Sequence, residues 1–567
     1  MVLTTVIEGE VDIDTRTRPN NERTPLLAGR HNANSRGSGT EGDGAGDQYT
    51  VDRNQNDFQD LPWWKRPSIW WMLPPYLLFT VAFGGVTVPK LNLILDLICR
   101  KYYGNKAAED PTVTYITVIF DDKGDQCRNA EVQSLAAQFS LVANFIGGIM
   151  SAFSCPRLGA LSDRYGRTRV LSVTAIGMLS GEIITIAAAT YPDSVEVYWL
   201  YLGYILDGIC GSFIAGMAVA HSYAADCTAP EDRNIAFGYF HGCLFGGIAL
   251  GPLLAALAIK ASGGYLLVFY LVLFCQLVFI FSMLWVVPES LSRSSQLLAR
   301  EAFSHRRMTN RNTRLTWSSW LSGKLFTPFA PLKILWPRGE GSSPALRRNL
   351  VLLAAVDTTM FGVAMGAFNV VIYYSRYQFG WDVSEQSLFI AIINLARISC
   401  MLFVLPVVTR LVRGAVAGDP SQPWNGCDNL DLAFIRCAVF FDALGFLGYA
   451  VATSPTLFII FGAMTALAGL GFPTLQSAMT KHIPPSQTGE LLGASGLLHS
   501  LARVVAPAFL SGIYSLTVGS LPQSIFIILT VVFGIAACLS WGIRPGVYWG
   551  FKEAPRREPL QEEAAEA

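Results

Sequence analysis

The amino-acid sequence predicts an all-helical membrane protein with twelve transmembrane helices in two pseudo-symmetric bundles of six. The 567-residue chain is 51% hydrophobic but only 15% charged, whereas soluble domains carry about 25% charge. Twelve apolar segments are each near the roughly 20 residues that cross a bilayer. A glycine–proline spacing also recurs in both halves of the chain. These three observations define the fold class.

A polar tail precedes the first apolar segment and is predicted to be disordered. It lacks the apolar core of a cleavable signal peptide. Within it, Glu22, Leu26 and Leu27 resemble the acidic dileucine signal [DE]-x-x-x-L-[LI], which sorts membrane proteins to vacuoles or lysosomes. A pattern this short also arises by chance. Two interpretations stay open, a signal bound by a sorting adaptor or an incidental leucine pair.

The twelve apolar segments are numbered here as spans 1 to 12. Spans 1 to 6 are predicted at 70–98, 131–157, 170–191, 197–226, 234–260 and 265–288. Spans 7 to 12 are predicted at 349–376, 384–410, 431–452, 456–482, 490–516 and 523–543. The predicted domains are a tail (1–65), a bundle (66–288), a central loop (289–348), a second bundle (349–545) and a C-terminal tail (546–567).

The basic residues predict the orientation. Eleven lysines and arginines lie in the central loop, whereas the links between spans 3 and 4, 9 and 10, and 11 and 12 contain none. The positive-inside rule therefore places both termini and the central loop in the cytoplasm. The net charge is zero, so electrostatics gives no reason to expect a nucleic-acid partner.

The link between spans 2 and 3 carries the most specific pattern in the chain. Residues 159–169 read GALSDRYGRTR and are predicted to form a tight hydrophilic turn. The pattern G-x-L-x-D-R-x-G-R-[KR] is matched at Gly159, Asp163, Arg164, Gly166 and Arg167. Thr168 departs from it at the last place. This segment resembles the loop signature of the major facilitator superfamily, and the resemblance implies that fold.

The resemblance also implies a role for the segment. An acid at a helix end can accept hydrogen bonds from the start of a facing helix, which carries partial positive charge. In family members, such contacts link the two halves on the cytoplasmic side and break when the protein opens inwards. The matching residues are therefore expected to form a conformational switch.

Span 5 contains a second pattern, Gly247, Gly251 and Pro252 within GIALGP. Glycines four apart let a neighbouring helix approach closely, and the proline bends the helix. The pattern is similar to the antiporter motif G-x-x-x-G-P-x-x-G-G of the same superfamily, although Ala255 and Ala256 replace its last glycines. The resemblance implies export, whereas ordinary packing of small residues explains the same sequence.

An internal repeat supports the division into two halves. Gly238 precedes Pro252 in span 5 by fourteen residues, and Gly493 precedes Pro507 in span 11 by the same distance. Such repeats place a binding site near the bilayer midplane, between the halves. The second half has no good copy of the loop signature, because residues 409–413 keep only its positive charge.

Ionisable residues deep in the spans are costly by about 2–3 kcal/mol unless they face a cavity or a partner. Exporters of this superfamily carry an arginine in span 4, but this chain has Tyr204 and Asp207 there, so that residue's role in proton coupling cannot be transferred. The family fold implies that spans 3, 6, 9 and 12 lie outside the cavity. The candidate substrate or proton site therefore consists of Asp207, Asp357, Arg397, Arg503 and Lys90.

The remaining ionisable residues are interpreted as structural. Glu182 and Asp442 are expected to be structural partners, and His221 and Asp226 to form a solvated end of span 4. Cys99 and Cys127 bracket the first non-cytoplasmic loop, where a disulfide is chemically permitted but not required. No cysteine or histidine spacing indicates a metal site, and no cofactor is expected.

These features predict a secondary active transporter of a small organic molecule, not an enzyme. Residues 223–238 resemble the tetracycline-exporter branch, and the tail resembles fungal members. The resemblance implies proton-coupled export by a monomer in the vacuolar or plasma membrane. Proton-coupled uptake, vacuolar efflux of a metabolite and a non-transporting nutrient receptor are the alternatives. An ATP-driven pump is disfavoured because the chain lacks the loop G-x-x-x-x-G-K-[ST].

Overall fold

Long apolar segments leave the backbone no partner in a bilayer except itself, so they fold as helices. The computed structural model describes residues 58, 61–109, 130–312, 327–338, 341–381, 383–415 and 426–550. These residues form helices and connecting turns, with no strand among them. The dileucine pattern (Glu22, Leu26 and Leu27) and Cys127 lie outside the described residues.

Spans 1 to 6 occupy the first half of the described chain. Their helices are Ile69–Glu109, Ala130–Tyr165, Arg167–Thr190, Trp199–Ile209 with Ser212–Cys227, Arg233–Ser262, and Leu266–Phe281 with a π-turn at Ser282–Val286. Span 4 is broken at Gly211, whose φ of 86° lies in the left-handed region that favours glycine.

Spans 7 to 12 occupy the second half. Their helices are Pro344–Phe379, Val383–Ser399 with a π-turn at Cys400–Val404 and Leu405–Ala415, Asn429–Val451, Pro455–Ala468 with Gly471–Thr480, Thr488–Thr517, and Ser524–Trp541. Among the described residues, eleven spans are long and apolar enough to cross a membrane. The helix predicted as span 9 has 23 residues and carries Asp431, Arg436 and Asp442. The helical membrane fold class is confirmed.

The predicted hydrophilic turn at 159–169 is wrong. Span 2 stays helical to Tyr165 and span 3 begins at Arg167, so Gly166 alone separates them. Gly166 has a φ of 104°, and a Cβ atom there would lie 2.4 Å from the Glu289 carboxylate. The polar signature is therefore mostly a helix end and a helix start. The central loop also contains a helix, Arg293–Asn312.

Buried apolar side chains form several clusters. The largest is built from residues between Ile334 and Val547, and the next from residues between Met72 and Val287. Many large apolar side chains outside these clusters are exposed, as Phe274 and Trp285 are. Such exposure is expected where lipid rather than water meets the protein surface.

The two halves meet mainly at one end of the bundle, which we call the signature side because residues 159–169 lie there. Span 2 packs on span 11, and span 5 packs on spans 8 and 10. Gly159 lies so close to span 11 that a Cβ atom would be 2.2 Å from the Gly489 carbonyl oxygen. Towards the opposite side, Leu141 and Phe145 of span 2 are exposed. Contact between the halves is thus concentrated at the signature side.

Candidate functional site

Asp163 connects the end of span 2 to the start of span 11. Its Oδ1 accepts a hydrogen bond from the Gly489 amide (3.0 Å), and its Oδ2 accepts one from the Glu490 amide (2.9 Å). The first amides of a helix have no partner within the helix and carry partial positive charge. A buried carboxylate at this position therefore stabilises the contact between the two halves.

Arg167 is fully buried and is flanked by two carboxylates. Its Nη1 lies 2.6 Å from Asp163 Oδ1, and its Nε lies 2.9 Å from Asp226 Oδ2. The backbone amide of Arg167 donates to Glu289 Oε1 at 2.7 Å. Asp226 is buried in this network, so its predicted place at a solvated helix end is wrong. A charge removed from water needs such partners.

Arg164 has a different environment. Its guanidinium lies 3.9 Å from the centroid of the Phe303 ring, and its carbonyl accepts a hydrogen bond from Arg300 Nε at 2.9 Å. Both contacts come from the helix Arg293–Asn312. Arg164 therefore joins the central segment to span 2, a role that its place in the signature did not indicate.

A second polar network joins the halves at spans 5 and 8. Asn234 of span 5 donates from Nδ2 to Thr409 Oγ1 (3.2 Å), and Arg413 Nη1 donates to Asn234 Oδ1 (3.5 Å). Arg413 also pairs with Asp431 (3.1 Å) and Asp428 (3.0 Å). The sequence analysis identified only the positive charge of residues 409–413 and none of these contacts.

The second network is a charge-inverted counterpart of the first. Lys481 Nζ lies 2.5 Å from Asp431 Oδ2, and both side chains are buried. Lys481 follows Asp226 by 255 residues, the offset that also relates the two glycine–proline repeats. An acid at the end of span 4 thus corresponds to a base at the end of span 10. A comparison of residues 255 positions apart along the whole chain would have pointed to this second network from the sequence.

Gly247 and Gly251 pack span 5 directly onto the backbone of span 1. A Cβ atom on Gly251 would lie 2.4 Å from the Gly85 amide nitrogen, and one on Gly247 would lie 2.4 Å from the backbone of Thr80. Gly84 faces Gly247 in the same way. Pro252 follows within the same helix, Arg233–Ser262. The glycines of span 1, which the sequence analysis did not single out, complete this contact.

Three of the five candidate cavity residues belong to one electrostatic group. Lys90 Nζ lies 5.1 Å from the centroid of the Tyr204 ring and interacts with Glu182 and Asp207. Asp207 hydrogen-bonds Ser212 beyond the break in span 4 and also interacts with Arg503 of span 11. Cations and acids from both halves therefore share this region.

The other two candidates lie in different groups. Arg397 interacts with Asp442, and its guanidinium lies 5.4 Å from the centroid of the Phe245 ring. Asp357 is fully buried, and its Oδ2 accepts hydrogen bonds from Ser495 Oγ (2.9 Å) and His499 Nε2 (2.8 Å). The structure therefore separates the five candidates into three groups.

Two further observations concern residues considered in the sequence. His221 is buried and stacked on His241, with ring centroids 4.8 Å apart, so its predicted solvated position is wrong. Cys99 is disulfide-bonded. Within the described part of the chain, no cluster of three or more histidine, cysteine, aspartate or glutamate side chains could hold a metal ion.

Eleven helices of the described residues are long and apolar enough to cross a membrane, and several carry buried charges, so the architecture is that of a multi-pass membrane protein. The sequence profile of the Major Facilitator Superfamily matches residues 112–417. The chain belongs to this superfamily, as its loop signature indicated. Because this is a family of transporters, the prediction that the protein is not an enzyme is confirmed.

Relatives of known description agree with this assignment. The chain is 31% identical over 476 residues to the MFS-type transporter avaJ of Aspergillus versicolor, covering 83% of this chain and 87% of the relative. It is 25% identical over 379 residues to the class C tetracycline resistance protein of Escherichia coli, covering 65% and 78%. The predicted similarity to fungal members and tetracycline exporters is confirmed.

A solved structure shows the same fold. The human organic anion transporter MFSD10 (TETRAN) superposes with a TM-score of 0.60, covering 85% of this chain and 100% of that one. The two sequences are 17% identical. A likeness at this level of identity concerns the fold alone.

Proposed function

We propose that this protein exports a small organic molecule from the cytoplasm in exchange for protons, by alternating access. In this proposal the bundles 66–288 and 349–545 move as units, both termini are cytoplasmic, and the protein acts as a monomer. In this proposal the protein lies in the vacuolar membrane if a sorting adaptor binds the dileucine pattern, and in the plasma membrane if none does.

The observation that carries the proposal is the contact of Asp163 with the start of span 11. This contact joins the two halves at one end only, through hydrogen bonds that can break without unfolding either half. Acids and bases from both halves lie between the halves, as proton exchange requires. Similarity to tetracycline resistance proteins supports an organic cargo and the export direction.

The test is transport by the purified protein in liposomes with an acidic interior. A panel of labelled organic molecules, including tetracycline and organic anions, is offered outside. For a proton exchanger we expect uptake of at least one molecule, because proton efflux drives it inward, and loss of that uptake when a protonophore collapses the gradient. Protein-free liposomes and Asp193→Asn, a change on the far surface where the carboxylate is 91% exposed, are the controls.

The other outcomes separate the alternatives. Accumulation that requires an acidic exterior would indicate proton-coupled uptake and contradict export. Binding of a panel molecule without transport under either gradient would indicate a receptor.

A further inference from the structure

Four ionisable side chains from four spans converge between the two halves. Span 7 contributes Asp357 and span 11 contributes His499, both in the C-terminal half. Span 4 contributes His221 and span 5 contributes His241, both in the N-terminal half. All four are at most 4% exposed. The sequence analysis kept Asp357 as a cavity candidate, placed His221 at a solvated helix end and gave His241 and His499 no role.

The contacts within this group define an acid–base pair that faces a histidine stack. Asp357 Oδ2 lies 2.8 Å from His499 Nε2, and the His499 ring stacks on Phe361 with centroids 4.2 Å apart. The rings of His221 and His241 stack on each other, and His241 interacts electrostatically with both Asp357 and His499. Spans 4 and 5 therefore present imidazoles to a carboxylate on span 7.

In the described part of the chain, the hydrogen bonds and ion pairs of the Asp357 carboxylate include no lysine or arginine. The hydrogen bonds of Asp357 come from Ser495 and His499, and its Oδ1 atom is buried without a partner. Arg503, one turn further along span 11, interacts with Asp207 of span 4. The second segment of span 10, Gly471–Thr480, packs on span 7 and contributes no charged side chain. Cys155 of span 2 approaches Ser500, next to His499.

One proton would neutralise the Asp357–His499 pair. A lone carboxylate in a dry interior is unfavourable, whereas one added proton gives either a neutral acid and base or an ion pair with no net charge. Both ring nitrogens of His221 are also buried without a hydrogen-bond partner. Buried polar atoms without partners are rare, and a functional role is one of the explanations for them.

The location of the pair links its proton to movement of the halves. Next to His499, Ser500 Oγ lies 3.1 Å from Ser151 Oγ of span 2, within the contact that closes the signature side. In this conformation the pair is closed off from water. Separation of spans 2 and 11 would hydrate it.

We propose that Asp357 and His499 bind the transported proton, and that His221 and His241 form the face of this site on the other half. The proposal rests on the proposed function and assigns its proton to one pair of residues. Binding and release of the proton require no covalent change. The neutral, protonated pair favours the conformation closed at the signature side, because a buried carboxylate without a balancing charge is unfavourable.

The test measures the distance between two spin labels by pulsed electron paramagnetic resonance, and it requires no substrate. Glu231→Cys and Ser486→Cys place the labels on exposed positions at the starts of spans 5 and 11. The exposed Cys437 and Cys538 are replaced by serine. The protein is reconstituted in lipid nanodiscs between about pH 5 and pH 8, the range in which histidine-linked sites titrate.

In the labelled parent, we expect acidification to increase the short-distance population. In Asp357→Asn, a permanently neutral variant of similar shape, the short-distance population should predominate at every pH. In His499→Gln, the midpoint of the transition should differ from that of the parent, because the carboxylate loses its basic partner. Asp193→Asn is the control, because its carboxylate is 91% exposed on the far surface, and it should keep the midpoint of the parent.

Each other outcome contradicts a specific statement. A parent without any pH-dependent change would contradict proton coupling itself, and with it the proposed function. A parent that responds while Asp357→Asn responds with the same midpoint would overturn only the assignment to Asp357. An unchanged midpoint in His499→Gln would exclude His499, and loss of the response in Asp193→Asn would show that the effect is not specific to this pair.

Discussion

Asp163 shows how one side chain can control a contact between two domains. Both carboxylate oxygens of Asp163 accept backbone hydrogen bonds from span 11. The Arg167 guanidinium, in contact with the same carboxylate, balances its charge. Hydrogen bonds to charged groups contribute about 1.5–3 kcal/mol each. Because these bonds cross between the halves, their loss would affect the conformational equilibrium more than the stability of either half.

We therefore predict that Asp163→Asn opens the signature side. Cys155 reports this change, because it is buried between spans 2 and 11 beside Ser500. In a background with Cys437 and Cys538 replaced by serine, its rate of reaction with a membrane-impermeant maleimide should rise about tenfold, as loss of one such bond implies. Asp193→Asn should leave the rate unchanged. Equal rates in Asp163→Asn and the parent would contradict a switch role for Asp163.

His482 predicts a pH dependence of stability. It is buried outside the spans, where its Nε2 accepts from Asn349 and its Nδ1 donates to Ala478. Burial lowers the pKa of His482 from 6.5 to about 4. On acidification, the His482 side chain therefore takes up a proton in the unfolded chain but stays neutral in the folded protein. The stabilisation is fully present above pH 6.5 and is lost as the pH falls towards 4, by up to about 3 kcal/mol.

The measurement for His482 is thermal unfolding of the purified protein in detergent across this pH range. The melting temperature of the parent should fall on acidification, and the fall should be smaller in His482→Gln. The comparison isolates His482 from the other buried histidines, which both proteins share. Identical pH profiles for the two proteins would contradict the prediction.

At the scale of elements, the close packing of span 5 on span 1 depends on glycine. We predict that Gly251→Ala lowers the melting temperature and the yield of monodisperse protein, since its Cβ would lie 2.4 Å from a backbone nitrogen. Overpacking of this kind costs about 1–3 kcal/mol or more. Gly534→Ala in span 12 is the matched control, because no atom lies within 4 Å of its Cβ position. Equal loss in both variants would show that the contact itself is not responsible.

At the scale of the whole molecule, two polar contacts close the same end. Asp163 joins spans 2 and 11, and Asn234 joins spans 5 and 8. We predict that Asp163→Asn and Asn234→Ala each raise the labelling rate of Cys155, and that the double variant multiplies the two factors. Contributions from separate sites with no shared partner add in free energy within about 0.5 kcal/mol. A double variant no faster than Asp163→Asn alone would show that Asn234 does not hold the halves together.

Much of this protein could be predicted from local sequence. Hydropathy located the long helices, eleven of which are apolar enough in the described residues to cross a membrane, since each must satisfy its backbone internally. The signature at 159–169 identified the superfamily. The predicted ends of the helices were less accurate. Polar residues from Gly159 to Tyr165 were interpreted as a turn, yet they continue a helix because their partners lie on other elements of the protein.

The sequence by itself determined the membrane class and the family, because hydrophobicity and short motifs are properties of neighbouring residues. Only the tertiary structure decided which charges meet. Asp163 contacts Gly489 across 326 residues, and the five cavity candidates separate into three groups. The direction in which a helix turns its side chains depends on packing against other helices, and no local pattern specifies that packing.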